Sequence, residues 1–313
     1  MSRIHEALKR AEQERATGAV AEPVPLMGTE LPMSRDGENG DGPAPLPVTQ
    51  LPHAQLPVVP GGAPIAYETL LARCTPTAWN PDRKTMLFFG EDEQSRGTEE
   101  FRTLRSRLYQ LRDRQPLKKV LVTSSLPKEG KTFVAANLAQ VIVRQHGRRA
   151  LLIDADLRGP RLHSALGTPS APGLVEYLQG EADEISVLQR GPMENLFFIA
   201  SGRSASSPAE LVGNGRFRVL MARLEAAFDW IIVDSPPAVP VSDAALLANF
   251  CDGVLMVVRS DATPSDMARK ARQEFRDQML VGVVLNGIDA GAGYTQYYYG
   301  GYGRQNGKAD STR

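Results

Sequence analysis

The chain has 313 residues and a hydrophobic share of 42%, enough for the core of one large domain or two small ones. Its 36 basic and 36 acidic residues balance, so no overall basic field points to nucleic acid or to anionic lipid. No apolar run approaches the ~18 residues of a membrane span, and the N-terminus has no signal-peptide core. Cys74 and Cys251 lack metal-type spacing and indicate a reducing compartment. The sequence therefore predicts a cytoplasmic protein that reaches a membrane only through a partner.

The first 84 residues are predicted to comprise a short helix and a linker. Residues 1–16 have apolar side chains at helical spacing, but a helix of this length is too short to be stable alone. Residues 17–84 are predicted to be a mostly disordered linker, because prolines recur from Pro23 to Pro64 among glycines and alanines and preclude helix or sheet.

Residues 85–290 alternate strand-like and helical segments and are predicted to form one domain. The strand-like segments are residues 118–124, 150–154, 196–201, 230–235, 252–260 and 280–286. The helical segments include residues 208–227, 242–250 and 264–278. Continuous apolar strands separated by helices predict an α/β fold with a mostly parallel sheet covered by helices on both faces. Ligands bind such sheets at the carboxyl ends of the strands, so the loops that follow the strands form the candidate site.

The loop after the first predicted strand has the sequence SLPKEGKT, from Ser125 to Thr132. It fits the phosphate-binding pattern G-x-x-x-x-G-K-[ST], with Ser125 in place of the first glycine. In such a P-loop the backbone amides wrap the phosphates, Lys131 reaches the β and γ phosphates, and Thr132 ligates Mg²⁺. The alternative is an ordinary strand-to-helix turn, although the surrounding strand and helix make a chance match rarer. The candidate nucleotide-binding residues are Ser125, Pro127, Lys128, Glu129, Gly130, Lys131, Thr132 and Phe133.

Carboxylates follow two further predicted strands. Asp154 and Asp156 lie two residues apart at the end of a buried strand, where they would repel each other unless a cation such as Mg²⁺ neutralised them. The alternative, a helix N-cap plus a surface acid, explains only one of the two. Asp234 ends the strand WIIVD as a Walker B carboxylate would, contacting magnesium directly or through water. Taken alone, an aspartate before two prolines is more often a turn.

Five of the chain's eight tyrosines lie within the ten residues YTQYYYGGYG. They are Tyr294, Tyr297, Tyr298, Tyr299 and Tyr302. Residues 291–313 are predicted to be a flexible tail, because glycines are interspersed among these tyrosines. From composition alone this segment is a low-complexity adhesive tail or a docking strand.

Together these motifs resemble those of the bacterial tyrosine kinases that govern capsule and exopolysaccharide export. The similar segments are SSLPKEGKTFVAANLA, LLIDADLRGPRLH, IIVDSPPAVPVSDA, the E-x-x-R-x-x-R segment EEFRTLRSRL and the tyrosine-rich tail. The opening MSRIHEALKRAE resembles the cytoplasmic autokinases that accompany exosortase-type loci. Two positions depart from the family pattern: Ser235 replaces the usual Thr, and Lys128 replaces a frequent Gly.

The resemblance implies an ATP- and Mg²⁺-dependent autokinase whose fold is related to the ParA and MinD ATPases. In this chemistry Lys131 holds the γ-phosphate, and the side chains of Thr132, Asp156 and Asp234 surround the metal. Asp154 accepts the proton of the tyrosine hydroxyl, although the roles of Asp154 and Asp156 are interchangeable at this stage. The five tail tyrosines are the implied phosphate acceptors.

The resemblance also implies partners. The segment with Glu99, Arg102 and Arg105 would form a head-to-tail, ring-like homo-oligomer in which each tail enters the next subunit's site. A transmembrane polysaccharide co-polymerase, or chain-length regulator, would activate the kinase, and a cognate tyrosine phosphatase would reverse its action. No nucleic-acid partner is expected. Asn286 is at a strand end where relatives contact the nucleotide base, and a loop cap is the alternative.

Two other functions remain open from the sequence. A ParA/MinD-like nucleotide switch would carry a second lysine early in the P-loop, where Leu126 stands, and would need a nucleic-acid or membrane surface. A non-catalytic, ATP-gated scaffold for a membrane partner is not separable by sequence, because binding and catalytic residues largely coincide in phosphoryl transfer.

Overall fold

Seven strands form one sheet in the computed structural model of the protein, which describes residues 62–74, 76–89 and 96–288. The strands of these described ranges are β1 (Lys119–Ser124), β2 (Ala150–Asp154), β3 (Leu188–Arg190), β4 (Leu196–Ile199), β5 (Trp230–Asp234), β6 (Gly253–Arg259) and β7 (Leu280–Asn286). In space they follow the order β3–β4–β2–β5–β1–β6–β7. β3 pairs antiparallel with β4, and the other neighbouring strands are parallel.

Helices connect the strands and cover the sheet. They are α1 (Tyr67–Arg73), α2 (Arg96–Arg112), α3 (Lys131–Val143), α4 (Leu162–Leu166), α5 (Leu174–Gln179), α6 (Glu184–Val187), α7 (Pro208–Gly213), α8 (Arg216–Leu224), α9 (Asp243–Ala248) and α10 (Ser265–Glu274). A short 3₁₀ helix, Glu225–Ala227, follows α8. In the described part of the chain, none of the helices combines the length and apolar character that crossing a membrane requires.

Two hydrophobic clusters pack on opposite faces of the sheet. Neighbouring residues of β4 enter different clusters, because successive side chains of a strand point to opposite faces: Phe197 joins Phe217 of α8, and Phe198 joins Leu138 of α3. The central strands β1, β2, β4 and β5 are almost completely buried. This confirms the predicted α/β fold with a mostly parallel sheet covered on both faces.

The folded part begins before residue 85, where the sequence analysis placed the end of the linker, so that boundary is wrong. In α1 the side chains of Tyr67 and Leu70 are buried, and Cys74 follows them at the same helical face. The Tyr67 hydroxyl donates a hydrogen bond to Asn195 Oδ1 at 2.5 Å. The prolines at positions 64 and 76 leave room between them for two helical turns, which the overall proline content obscured. The predicted helix 1–16, linker residues 17–61 and the tail 291–313 lie outside the described residues.

Substitution of Leu70 tests whether α1 belongs to the domain. Leu70→Ala is expected to lower the free energy of unfolding by about 2–4 kcal/mol, because the side chain is fully buried and its loss leaves a cavity. The neighbouring Leu71 is 41% exposed, so Leu71→Ala should change stability by less than about 0.5 kcal/mol. Urea unfolding of the two variants gives the comparison. Equal, small effects would mean that the segment is a linker after all.

Candidate active site

The loops that follow β1, β2 and β5 meet at one edge of the sheet. These three strands are adjacent, in the order β2–β5–β1, and all run in the same direction. Their carboxyl ends therefore bring the P-loop, the Asp154–Asp156 segment and Asp234 together. The sequence predicted this meeting from strand direction alone, and the structure confirms it for the four ionisable side chains described below.

The P-loop connects β1 to α3 and uses two residues in the left-handed region, Lys128 at φ 67° and Gly130 at φ 98°. The buried Glu129 side chain braces this conformation. Its Oε2 accepts a hydrogen bond from the Leu126 amide at 2.9 Å, and its Oε1 accepts one from the Thr263 hydroxyl. The lysine at position 128 thus takes a backbone conformation that glycine adopts most readily, which agrees with the glycine frequent there in the resembling family.

Asn286, at the end of β7, holds the other side of the loop. Its Nδ2 donates a hydrogen bond to the Glu129 carbonyl at 2.9 Å. A Cβ atom at Gly130 would lie 2.0 Å from Nδ2, so Asn286 and a residue larger than glycine cannot occupy their present positions together. Asn286 thus caps the P-loop, and its predicted contact with the nucleotide base stays a prediction.

Gly130→Ala is therefore expected to destabilise the domain by more than about 2 kcal/mol, from a strained positive φ and from overlap with Asn286. Gly147 is the matched control, because it also has a positive φ, 71°, but a Cβ there would meet no atom within 4 Å. Gly147→Ala should cost only about 1 kcal/mol. Thermal unfolding measures the stability of both variants. Equal losses of stability would show that overlap with Asn286 does not contribute to the effect of Gly130→Ala.

Lys131, the first residue of α3, is nearly buried among three acidic side chains. Its Nζ lies 2.7 Å from Asp156 Oδ2, 4.0 Å from Asp234 Oδ1 and 3.4 Å from the hydroxyl oxygen of Thr132. Burial alone would lower the pKa of Lys131, but the carboxylates of Asp234 and Asp156 outweigh it, so the pKa is raised. The lysine is therefore a fixed positive charge at neutral pH.

Asp154 and Asp234 are completely buried, and they differ in their partners. The carboxylate of Asp154 accepts hydrogen bonds from the amides of Leu162 at 3.1 Å and Asp156 at 3.3 Å. Neither oxygen of Asp234 makes a hydrogen bond of normal geometry among the described residues, although Lys131 Nζ lies 4.0 Å from Oδ1 and the Thr132 side chain also favours the ionised form. Burial raises the pKa of Asp234 to about 6, partly offset by the nearby Lys131 charge, and burial together with Asp234 raises the pKa of Asp154 well above its ordinary value.

These side chains fit a magnesium ion that is shared with a nucleotide. Mg²⁺ is usually held by one or two carboxylates together with substrate phosphates and water. The unpartnered oxygens of Asp234, the carboxylate of Asp156 and the Thr132 hydroxyl supply such a donor set around Lys131. The described residues contain no cluster of three His, Cys, Asp or Glu side chains able to hold a metal without further ligands.

The sequence analysis did not identify the contacts that fix the site from a distance. Arg158 donates from Nε to Asp243 Oδ2 at 2.5 Å and from Nη2 to Oδ1 at 3.3 Å, and the amide of Gly159 donates to Asp156 Oδ1 at 3.0 Å. These interactions hold the segment after β2 against the start of α9. No local pattern indicates the pairing of Arg158 with Asp243, because the two residues lie on separate elements.

The three predicted interface residues lie on α2 but do not form one exposed array. Glu99 and Arg102 form an ion pair on the surface of the helix. Arg105 Nη1 donates to the Val141 carbonyl at 2.7 Å and thereby joins α2 to the last turn of α3. The five predicted acceptor tyrosines lie outside the described residues.

Comparison with known proteins identifies the family. No known protein-family model matches the chain. Tyrosine-protein kinase YwqD of Bacillus subtilis is 35% identical over 212 residues, which are 67% of this chain and 89% of that protein. Tyrosine-protein kinase CpsD of Streptococcus pneumoniae is 34% identical over 194 residues, 60% of this chain and 85% of that protein.

A solved structure agrees with these relatives. The kinase domain of the Escherichia coli tyrosine kinase ETK is similar with a TM-score of 0.63 and 26% identity, and the match covers 80% of this chain and 92% of that domain. The residues placed at the carboxyl edge of the sheet are those expected for phosphoryl transfer. The chain is therefore a member of the bacterial tyrosine-protein kinases, enzymes that transfer phosphate from ATP to protein tyrosine.

Proposed function

We propose that this kinase phosphorylates the tyrosine cluster of its own tail in trans and so regulates the polymerisation and export of an exopolysaccharide or capsule. The observation that carries the proposal is the position of Lys131, 2.7 Å from Asp156 and 4.0 Å from Asp234, at the start of the helix that follows a P-loop. A fixed cation among several buried carboxylates suits the binding of a metal–nucleotide complex.

The P-loop would bind the phosphates of ATP through its backbone. The residues from Ser125 to Phe133 surround the start of α3, whose free amides and dipole favour a negative ligand. Lys131 would exchange its contact with Asp156 for the β and γ phosphates. Bound Mg²⁺ would supply charge neutralisation between the phosphate oxygens, and Thr132, Asp156 and Asp234 are the residues that would hold it.

Asp154 is the proposed acceptor of the tyrosine proton. A general base is most effective when its pKa lies near the working pH, and burial raises the pKa of Asp154 in that direction. The two backbone amides that hold its carboxylate would keep the oxygens in a fixed orientation for an incoming hydroxyl. Asp156, paired with Lys131, is the better candidate for contact with the metal.

The proposed acceptors are Tyr294, Tyr297, Tyr298, Tyr299 and Tyr302, which follow β7 in the sequence. A Gly-rich run of five residues after Asp289 spans only roughly 12 Å, so entry of the tail into the site of its own subunit is possible but tight. A neighbouring subunit in a ring would offer its site without this limit. Glu99, exposed on α2, and Arg102, half-buried beside it, are the residues proposed to contact that neighbour.

The proposal includes partners and a location. The kinase would act on the cytoplasmic side, where a transmembrane polysaccharide co-polymerase would recruit and activate it, and a tyrosine phosphatase would restore the unmodified tail. The support is the motif resemblance and the kinship with tyrosine-protein kinases such as CpsD. Phosphates on several tyrosines would add about −1.5 to −2 charges each and would drive neighbouring subunits apart.

A mixing assay tests transfer in trans. Chains with Lys131→Met but an intact tail are incubated in Mg-ATP with active kinase that lacks residues 294–313, and mass spectrometry locates phosphate. We expect phosphate on the tail of the Lys131→Met chains, because their own sites are disabled. If the Lys131→Met chains acquire no phosphate, while wild-type chains incubated in parallel do, transfer occurs within one subunit and the ring proposal fails.

A Glu99→Ala, Arg102→Ala double variant tests the proposed interface. It should reduce both the transfer in trans and the sedimentation coefficient.

A further inference from the structure

We propose that the unmodified tyrosine segment Tyr294–Tyr299 docks on the open edge of β7 in its own chain, as an added antiparallel strand. In the described part of the chain, β7 pairs with β6 on one side and with no strand on the other. An unpaired edge is a ready template for an extended segment, because its backbone groups lack partners.

The backbone of β7 presents these groups to solvent at two identifiable residues. The Asn286 carbonyl accepts a hydrogen bond from the Ser260 amide at 2.8 Å, so Asn286 points its backbone groups towards the β6 side. Successive residues of a strand alternate in the direction of their backbone N–H and C=O groups. The backbone groups of Leu285 and Val283 therefore point away from β6, to the open side of the sheet. The register irregularity of the β6–β7 pair lies at Val254/Leu255, opposite the start of β7, and leaves Gly282 to Asn286 in regular pairing.

The side chains of this edge are apolar and exposed. Val283 is 53% exposed, Leu285 is 51% exposed, and Ile288, just beyond the strand, is 44% exposed. The strand LVGVVLN contains neither a charged residue nor a proline, the devices that usually protect an edge strand from association. An exposed edge with this composition is expected to be covered in the protein.

The position and composition of the tail select it as the occupant. The described chain ends at Ile288, directly after β7, and Gly287 has φ 71°, which turns the chain away from the strand direction. The glycines at positions 287, 291 and 293 allow a return, and the six residues YTQYYY that follow match the seven-residue β7 in length. Because the segment is tethered, its effective concentration at the edge greatly exceeds that of a second copy.

Either register of the added strand covers the apolar edge with aromatic rings. Alternate residues share a face, so the face beside Val283 and Leu285 receives either Tyr294 with Tyr298 or Tyr297 with Tyr299. The end of β7 touches the P-loop through Asn286 and Glu129, and the docked tail would lie beside the site. Docking would therefore compete with entry of the tail into a neighbour's site, a consequence that rests on the proposed function.

Hydrogen–deuterium exchange without nucleotide tests the docking itself. Peptides covering residues 280–288 are compared between the full chain and a chain ending at residue 290. We expect at least about tenfold slower exchange in the full chain. Replacing the five tail tyrosines by Phe should retain this protection, whereas replacing them by Ser should remove it. Equal exchange in the full and shortened chains would overturn the proposal.

Two further measurements distinguish docking of the tail from docking of a second copy, and the docking model from the proposed function. Protection that persists in the shortened chain and falls on tenfold dilution would assign the edge to a second copy and overturn the tail as occupant. After incubation with Mg-ATP, a phosphorylated full chain should exchange as fast as the shortened one, because the added charges cannot pack on Val283 and Leu285. A chain that acquires no phosphate contradicts the proposed function alone, and a phosphorylated chain that stays protected contradicts the docking model.

Discussion

Lys131→Met is expected to reduce tyrosine phosphorylation by roughly a thousandfold or more, because it removes the cation that neutralises charge on the transferred phosphoryl group. Lys131 is the cation that the structure places against Asp156 and within 4.0 Å of Asp234. Methionine has a similar length but no charge, so the change isolates the electrostatic contribution. The rate is measured as phosphate incorporated into the tail by the full chain in Mg-ATP.

Lys119→Met is the matched control for this variant. Lys119 begins β1 at the opposite end of the strand, and its Nζ lies 2.8 Å from Glu225 and 3.1 Å from Asp252. Both substitutions remove a largely buried lysine from two carboxylates, but only one of them is at the carboxyl edge of the sheet. Lys119→Met should lower stability and leave the rate of phosphorylation within about twofold of wild type. A similar loss of rate in both variants would mean that Lys131 acts through stability and not through the phosphates.

The sequence predicted the site well where its chemistry is local. Each functional loop follows a buried apolar strand, and the direction of parallel strands places Lys131, Asp154, Asp156 and Asp234 at one edge without any knowledge of the structure. The sequence analysis also expected Mg²⁺ beside Asp154 and Asp156, and this metal stays a prediction. What the sequence did not show is that the cation in this structure is Lys131 itself, paired with Asp156 while Asp234 has no hydrogen-bond partner among the described residues.

The missed features depend on contacts between distant parts of the chain. Glu129 is braced by Thr263, and Gly130 is limited by Asn286, which are pairs that no local periodicity indicates. The strand β3 has three residues and a polar centre, so it lacks the apolar run by which the other strands were recognised. Helix α1 was missed because flanking prolines dominate the composition, although its apolar side chains follow helical spacing.

Asp234→Asn is expected to stabilise the nucleotide-free protein by about 2–3 kcal/mol at pH 7.5 and to have almost no effect at pH 4. Burial raises the pKa of Asp234 from its ordinary value of 3.8 to about 6. An acid with a higher pKa in the folded state binds more protons there than in the unfolded state, so stability falls as the pH rises from about 4 to about 6. A difference of about two pKa units corresponds to roughly 3 kcal/mol above that range, and asparagine removes the charge responsible. Urea unfolding across this pH range measures the effect.

Asp243→Asn is the control, because Asp243 is also a buried aspartate but is paired with Arg158 through both carboxylate oxygens. The same substitution there should lower the free energy of unfolding, since it weakens a charge-assisted pair. A loss of stability at pH 7.5 in Asp234→Asn would contradict the raised pKa and would show that the Asp234 charge is already compensated in the free protein. Mg-ATP should stabilise the wild type more than Asp234→Asn, because the variant lacks one of the two carboxylates, Asp156 and Asp234, proposed to hold the metal. We therefore expect Asp234→Asn to be more stable than the wild type but to bind Mg-ATP less well. This is the expected result if the buried Asp234 charge destabilises the free protein and contributes to binding.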